Sequence, residues 1–561
     1  MASVLGVNAV FHDPAAALVV DGEIVAAAEE ERFSRRKHGK SPVPFSTWEL
    51  PEESARWCLE RAGIAPAELD AIAYSYDPAL AAPVGPDLVD EGWEGLRSLF
   101  VQRAPLFLKT ALPGLDPGVV RFVPHHSAHA ASAYLAAPYD SCAVMVCDGR
   151  GERGSYLGGH AVDGDLEVLA TAALPDSLGL MYEEVTEHLG FRRSSDEYKV
   201  MALASYGRPV HLDALRGAVR LTGNGAFTTA PIEWSSFTAP HRPGRDDGRE
   251  QDERAWTDDE ADLAASVQAA LEETLLGLAH WLHDRTGEHC LVAAGGVALN
   301  CVANSRVVRD GPFDELWVQP AAGDAGTALG AALHVAHALG DRVVPMRTAA
   351  LGREWDDAEI GDALRVADVA HTRARDVAAT VAEALANDAV VAWMQGRSEW
   401  GPRALGHRSL LANPTRAANL ERLNDIKGRE QFRPVAPMVL AERAAEIFDG
   451  PLPSPYMLFT HRVRPEWRSR IPAVVHVDGS ARVQTVDRHD EPLMARVLEE
   501  FERRTGVPVL VNTSLNTGGR PMIDSPRDAL ECFGSTPVDM LAIGPYVLRR
   551  AASKNARTEA A

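Results

Sequence analysis

The apolar positions of the first 28 residues fall in short runs separated by turn signals: Val4 to Val7, a break at His12-Asp13-Pro14, Ala15 to Val20, the pair Asp21-Gly22, and Ile24 to Ala28. Short apolar runs bounded by Asp, Gly and Pro predict strands, and an Asp-Gly pair between two of them predicts a hairpin. Runs of the same kind predict strands at Ala71 to Tyr76, Val119 to Val123, Cys142 to Cys147, Leu291 to Ala294 and Leu316 to Gln319. Between them, Ser266 to His283 and Gly326 to Leu339 read as helices. Strands alternating with helices predict an α/β layered fold. The stretch 241–262 is crowded with charge and poor in large apolar residues, which predicts a solvated insertion. The pattern loosens between Gly340 and Asp357, and a second rhythm begins with a helix at Ala374 to Asn387 and a strand at Ala389 to Met394. Further strands are expected at Ser409 to Ala412 and Val509 to Asn512. This organisation predicts a first domain over 1–345, a linker over 346–372, a second domain over 373–550 and a frayed tail over 551–561. No internal repeat of fixed period is visible.

Across 561 residues, 79 acidic side chains outnumber 56 basic ones, a net charge of −23. That balance argues against a nucleic-acid partner, because neutralising a phosphate backbone takes a broad basic surface. An anionic substrate therefore needs a local basic island. The opening MASVLGVNAVFHDPAAALVV has no cationic start and is interrupted at His12, so no secretory signal is expected, and no apolar run is long enough to predict a membrane span. Six cysteines lie scattered without CxxC spacing, which predicts neither a disulfide framework nor a structural zinc site and suits a cytoplasmic protein.

Candidate chemistry begins with His125 and His129 in VPHHSAHAASAYLAA. Positions i and i+4 share one face of a helix, so two imidazoles there can converge on one metal ion. A zinc-protease motif is excluded, because His126 stands where the general-base Glu would follow the first His. Asp148 ends an apolar strand and opens the turn Asp148-Gly149-Arg150-Gly151, where an acid can hold a cation while backbone N–H groups approach phosphates. Asp324 sits similarly between a strand and a helix. Gly295 and Gly296, followed by Asn300, form a strand-to-helix turn that permits close approach of a nucleotide. A polar helix start, an ordinary Asp-Gly turn and a helix N-cap account for the same residues, and these readings stay open at this level.

The motifs FHDPAAALVVDGE, EEERFSRRKH, VPHHSAH, CDGRGE, DEYKVMALASYG, AAGGVALN and PAAGDAGTALGAA are followed by GRSEWGPRALGHRSLLANP, NDIKGREQFRPVAP, HVDGSARVQTV and VLVNTSLNTGGRPM. In this order they resemble the NodU/CmcH family of O-carbamoyltransferases, from Val4 to Arg550. The resemblance implies an ASKHA-type (TsaD-like) first domain, similar to the tRNA threonylcarbamoyl-transfer enzymes, joined to a YrdC-like α/β second domain. It implies that carbamoyl phosphate and ATP give a carbamoyl-adenylate, whose carbamoyl group passes to a hydroxyl of a small-molecule natural product. The family metal site falls on His125, His129, Asp148 and Asp324, with Fe2+ expected and Mn2+, Zn2+ or Mg2+ as alternatives. Ser127 stands where family members often carry Glu, next to intact ligands.

Between Arg397 and Arg433 eight cationic residues face four acids, a local excess of +4 within the acidic chain. Arg416 and Arg422 suit a solvated helix. Arg403, Lys427 and Arg433, beside Gly, Pro and aromatic residues, are the candidates for holding carbamoyl phosphate. The resemblance adds Arg482, Asn512 and Ser514 to this pocket and implies that carbamate is released there to meet ATP, and the lability of carbamate and carbamoyl-adenylate implies a closed passage between the domains. Transfer to an alcohol needs a base, for which His12 beside Asp13 is the candidate, with a structural histidine as the competing role. Lys199 and Lys37 are candidate phosphate contacts. A tRNA threonylcarbamoyl transferase would share the first domain but fits the acidic balance poorly. A non-catalytic nucleotide-binding regulator would have no use for the Arg403, Lys427 and Arg433 pocket. No sequence feature selects the acceptor among aminoglycosides, polyketides or their sugars, cephems and nodulation oligosaccharides.

Overall fold

The computed structural model describes residues 2–39, 49–81, 92–241 and 256–550. The chain divides into two units. Unit 1 contains the residues up to Leu351 together with Trp400–Pro402 and Leu458–Thr460, and unit 2 contains the remainder from Gly352.

In unit 1 the first apolar runs form β1 (Ser3–Asn8), β2 (Ala15–Val20) and β3 (Glu23–Glu29), an antiparallel meander. β4 (Ala71–Tyr74) and β5 (Val120–Phe122) extend it in parallel on the β1 side, giving the order β3-β2-β1-β4-β5. A second sheet repeats the plan. β6 (Ser141–Cys147), β7 (Gly154–Val162) and β8 (Asp165–Ala173) form the meander. After a small hairpin of β9 (Val219–Leu221) and β10 (Phe227–Thr229), β11 (Cys290–Ala294) and β12 (Glu315–Val318) add in parallel beside β6. This doubled order is that of an ASKHA-type domain. It escapes a search for a fixed period because the connections within the two halves differ greatly in length.

The helix Ala325–Ala338 follows β12 and consists almost wholly of small and aliphatic residues. Gly330 is what lets it reach the helix His125–Tyr134, since a Cβ there would lie 1.8 Å from the Ala128 carbonyl oxygen. Two helix starts thereby meet, and their terminal side chains with them.

Unit 2 is built on an eight-stranded mixed sheet. Its strands are β13 (Thr372–Arg373), β14 (Val391–Met394), β15 (Arg408–Ala412), β16 (Ala436–Leu440), β20 (Gln484–Val486), β21 (Val509–Ser514), β22 (Met540–Ile543) and β23 (Tyr546–Arg549). They lie in the order β13-β23-β22-β14-β15-β21-β16-β20. A small sheet of β17 (Phe448–Asp449), β18 (His461–Val463) and β19 (Ser480–Ala481) stands apart. Trp393, Phe501, Leu410 and Val509 belong to one buried core.

Two expectations need correction. The stretch 346–372 is not a plain linker, because Asp357–Val366 is a helix with a capping box of Asp356 and Glu359, and it buries Ile360 and Leu364. The charged stretch 241–262 ends in helix, since Asp258–Thr286 starts well before Ser266 with a capping box of Thr257 and Glu260. Acidic residues in a first helical turn complement the helix dipole, and in a pattern of apolar positions they read as solvated loop. The rest of that stretch over 242–255, and the tail 551–561, lie outside the described residues.

Candidate active site

β5 runs into the helix His125–Tyr134, whose first and second turns present His125 and His129 on one face. Asp148 follows β6, and Asp324 precedes the helix Ala325–Ala338. The structure brings these four side chains together, all buried, with one ligand atom of each inside a 4.8 Å cluster. His125 Nε2 lies 3.7 Å from Asp148 Oδ2 and 3.6 Å from Asp324 Oδ1, and His129 Nε2 lies 3.9 and 3.6 Å from the same atoms. These gaps are too long for hydrogen bonds. At 3.6–3.9 Å they lie at or just above the roughly 3.4–3.6 Å between neighbouring ligands that sit about 2.1 Å from a shared ion, so a small inward shift would let all four reach one. His125 donates from Nδ1 to the Ser75 carbonyl at 3.1 Å, which turns its Nε2 inward. Both Nε2 atoms are buried without a hydrogen-bond partner among the described residues. The four residues can hold a metal ion.

Burial alone would raise both carboxyls, but the facing imidazoles hold Asp148 and Asp324 below the usual carboxylate range. Burial alone would also lower His125, yet Asp148 and Asp324 together push it well above 6.5. His126, buried and next to those rings, is pushed down to about 3. Asp324 occupies the N-cap position of its helix without making a side-chain cap bond, so its carboxylate is left to the cluster.

Several supporting groups carry no motif of their own. The Glu152 carboxylate accepts the backbone N–H of His125 at 2.9 Å and of Asp77 at 2.8 Å, anchoring the helix start. The Gly296 N–H donates to Asp148 Oδ1 at 2.8 Å. Gly295 has φ +91°, and a Cβ there would lie 2.1 Å from the Cys147 carbonyl oxygen, so only glycine lets the end of β11 meet the end of β6.

His12 and Asp13 lie in the β1–β2 loop. His12 Nε2 is 3.7 Å from Asp324 Oδ2, at the edge of the cluster. The amide of buried Asn8 donates to the carbonyls of His12 and Asp13, both at 2.9 Å. Glu197, at the start of the helix Glu197–Leu203, is pushed up to about 7 by burial.

The nucleotide candidates divide. Gly149 lies in the turn after Asp148, and its carbonyl accepts the Ser177 hydroxyl at 2.7 Å. Gly295 and Gly296 join the cluster through Cys147 and Asp148. Lys199 is engaged by Asp196 at 3.0 Å, and Asn300 caps the helix Cys301–Asp310 and donates to Gln268 at 2.9 Å.

In unit 2 the β15–β21 pairing sets Leu411 opposite Asn512 and Ser409 opposite Ser514. Asn512 donates to the Ala404 carbonyl at 2.9 Å and to Gln484 Oε1 at 2.7 Å, and Gln484 donates to the Leu405 carbonyl at 2.7 Å. Buried Glu399 accepts three backbone N–H groups from Leu405, His407 and Arg408, at 2.7, 3.0 and 3.1 Å. The loop carrying Arg403 is thus clamped on both sides. Arg482 stands just before Gln484, and Arg433 pairs with Glu430 at 3.3 Å. Lys427, buried, donates to the carbonyl and hydroxyl of Ser514 and to the carbonyl and amide oxygens of Asn516, so it organises the end of β21.

A family profile described as Carbamoyltransferase N-terminus matches residues 3–333, and one described as Carbamoyltransferase C-terminus matches residues 382–550. The chain belongs to the carbamoyltransferase family. Nodulation protein NolNO of Sinorhizobium fredii is 38% identical, over 97% of this chain and 80% of that protein. Nodulation protein U of Rhizobium tropici is 42% identical, over 48% of this chain and 46% of that protein. Among solved structures, T. kodakarensis HypF aligns with 15% identity and a TM-score of 0.33, covering 61% of this chain and 49% of that one. This carbamoyltransferase is an enzyme, with the His and Asp cluster inside the N-terminal match and the Arg403 loop inside the C-terminal one. Among its described residues no helix is long and apolar enough to cross a membrane.

Proposed function

We propose that this carbamoyltransferase makes carbamoyl-adenylate from carbamoyl phosphate and ATP and passes the carbamoyl group to a hydroxyl of a small-molecule natural product, working in the cytoplasm. The observation that carries this reading is the buried cluster of His125, His129, Asp148 and Asp324 with His12 at its edge. Two inward imidazole nitrogens and two ionised carboxylates suit a divalent ion such as Fe2+. When bound, that ion would supply a Lewis acid that anchors phosphate oxygens. Gly149, Gly295 and Gly296 offer backbone to the nucleotide, with Lys199 and Asn300 bordering it. In the YrdC-like second domain, Arg403, Arg433 and Arg482 hold the dianion of carbamoyl phosphate, while Asn512, Ser514 and Lys427 shape the pocket. In the transfer step His12 Nε2 takes the hydroxyl proton as the acceptor oxygen bonds to the carbamoyl carbon, and AMP leaves with the electron pair of the broken C–O bond. The names of the nodulation-protein relatives make an acceptor of that kind the first to try.

The decisive assay is pyrophosphate release from ATP by metal-replete protein, with and without carbamoyl phosphate and with no acceptor present. Release that depends on carbamoyl phosphate supports the adenylate. Its absence in protein that binds ATP overturns an acceptor-independent first half-reaction.

A further inference from the structure

A second imidazole, absent from the chemistry above, is hydrogen-bonded to the loop that carries His12. His38 lies in the short 3-10 turn Lys37–Gly39, and its Nδ1 is 2.7 Å from Asp13 Oδ1, while His12 Nδ1 is 2.9 Å from Asp13 Oδ2. We propose that His38 is a positioning residue that acts through Asp13 to hold the His12 ring with its Nδ1 protonated and its Nε2 lone pair turned toward the His and Asp cluster. This rests on the reading of His12 as the base.

The argument starts from donor counts. An ionised carboxylate only accepts, so both imidazoles donate from Nδ1. Burial would raise Asp13, but the two facing histidines hold it well below its ordinary value, which keeps it an acceptor for both. A neutral His12 with its proton on Nδ1 has its lone pair on Nε2, the atom 3.7 Å from Asp324. A carboxylate held by one N–H can swivel about its Cβ–Cγ bond. Held by an N–H on each oxygen, its plane is fixed, and so is the direction it imposes on His12.

The backbone is committed to the same arrangement. Asp13 has φ +52° and His38 has φ +60°, left-handed conformations that non-glycine residues keep only where their surroundings over-determine them. The Asp13 N–H donates to the His38 carbonyl at 3.2 Å, and the His38 N–H donates to Glu31 Oε2 at 3.0 Å. Asp13, Glu31 and His38 also cluster closely enough to suggest a second ion site. Asp13, however, already receives an N–H on each oxygen, and an ion bound through His38 Nδ1 would displace the N–H that His38 gives it.

The test uses full-length, zinc-loaded protein labelled with 15N in its imidazoles, zinc being diamagnetic, with the His12 signals assigned by their loss in His12→Asn. His38→Gly and His38→Asn both tolerate a positive φ, so neither introduces backbone strain. Asn keeps an N–H able to reach Asp13, and Gly has none. The wild type should show His12 protonated at Nδ1, with that proton shielded from exchange with water. His38→Gly should lose about tenfold of this protection, the scale of one lost charge-assisted hydrogen bond, and His38→Asn should restore it. Protonation of His12 at Nε2, unchanged protection in the Gly variant, or an Asn variant as impaired as Gly would each overturn the proposal. Carbamoyl-phosphate-dependent pyrophosphate release, measured on the same proteins, should be equal in all three. Loss in His38→Gly alone would overturn the positioning role in favour of loop collapse. Absence from all three would count against the proposed first half-reaction and leave the ring measurement standing.

Discussion

Lowering the pH by one unit, from about 7.5 to about 6.5, should weaken metal binding at the His and Asp cluster about tenfold, or about 1.4 kcal/mol. The perturbation acts on His125. Its ring is buried, which disfavours the imidazolium, but Asp148 and Asp324 oxygens 3.7 and 3.6 Å from its Nε2 raise it well above 6.5. Without an ion, His125 therefore holds a proton at neutral pH on the nitrogen an ion must occupy. Binding displaces that proton, so affinity climbs a decade per pH unit while the pH is below the raised value and levels off above it. Asp148 and Asp324 are held below the ordinary carboxylate range and are already ionised, so they add nothing to the slope. His126, pushed down to about 3, is already neutral. Calorimetric titration with Zn2+ in two buffers of unequal protonation heat counts the protons released, and His125 should contribute about one. Binding that releases none and keeps the same affinity across that unit would refute the reasoning, because His125 would then be neutral despite its two carboxylate neighbours.

Other perturbations test separate parts of the structure. Gly295→Ala places a methyl 2.1 Å from the Cys147 carbonyl oxygen at a φ of +91°, and should destabilise the protein by about 3 kcal/mol; an unchanged urea midpoint would show that the β6 and β11 ends are not so closely joined. Lys427→Met strips a donor from half-buried oxygens of Ser514 and Asn516, at about 1 kcal/mol, and steady-state kinetics should show a raised carbamoyl-phosphate KM with the ATP KM unmoved. Arg433→Ala should raise the carbamoyl-phosphate KM by about tenfold through one lost charge-assisted contact. Unaltered carbamoyl-phosphate kinetics would remove Arg433 from the pocket.

The strand runs at Val4 to Val7, Ala15 to Val20 and Cys142 to Cys147, and the helical spacing of His125 and His129, were legible because each is a local repeat of apolar or chemical character. The ordered motifs carried the family assignment from sequence alone, and they include all four cluster residues. The partners of those residues were not legible. Glu152, a turn acid by its neighbours, holds the His125 N–H; Asp324, at a cap position, makes no cap bond. Lys427 reads as a phosphate contact, yet its ammonium is engaged by oxygens of Ser514 and Asn516. Glu399, Gln484 and Asn512, far apart along the chain, clamp one loop. The doubled sheet order and the meeting of His38 with Asp13 are likewise invisible to spacing. A linear sequence records what each short segment prefers, namely its period, its turns and its reactive groups. Which donor satisfies which buried acceptor depends on close packing between segments, as where Gly330 admits the Ala128 carbonyl, and only the folded chain decides that.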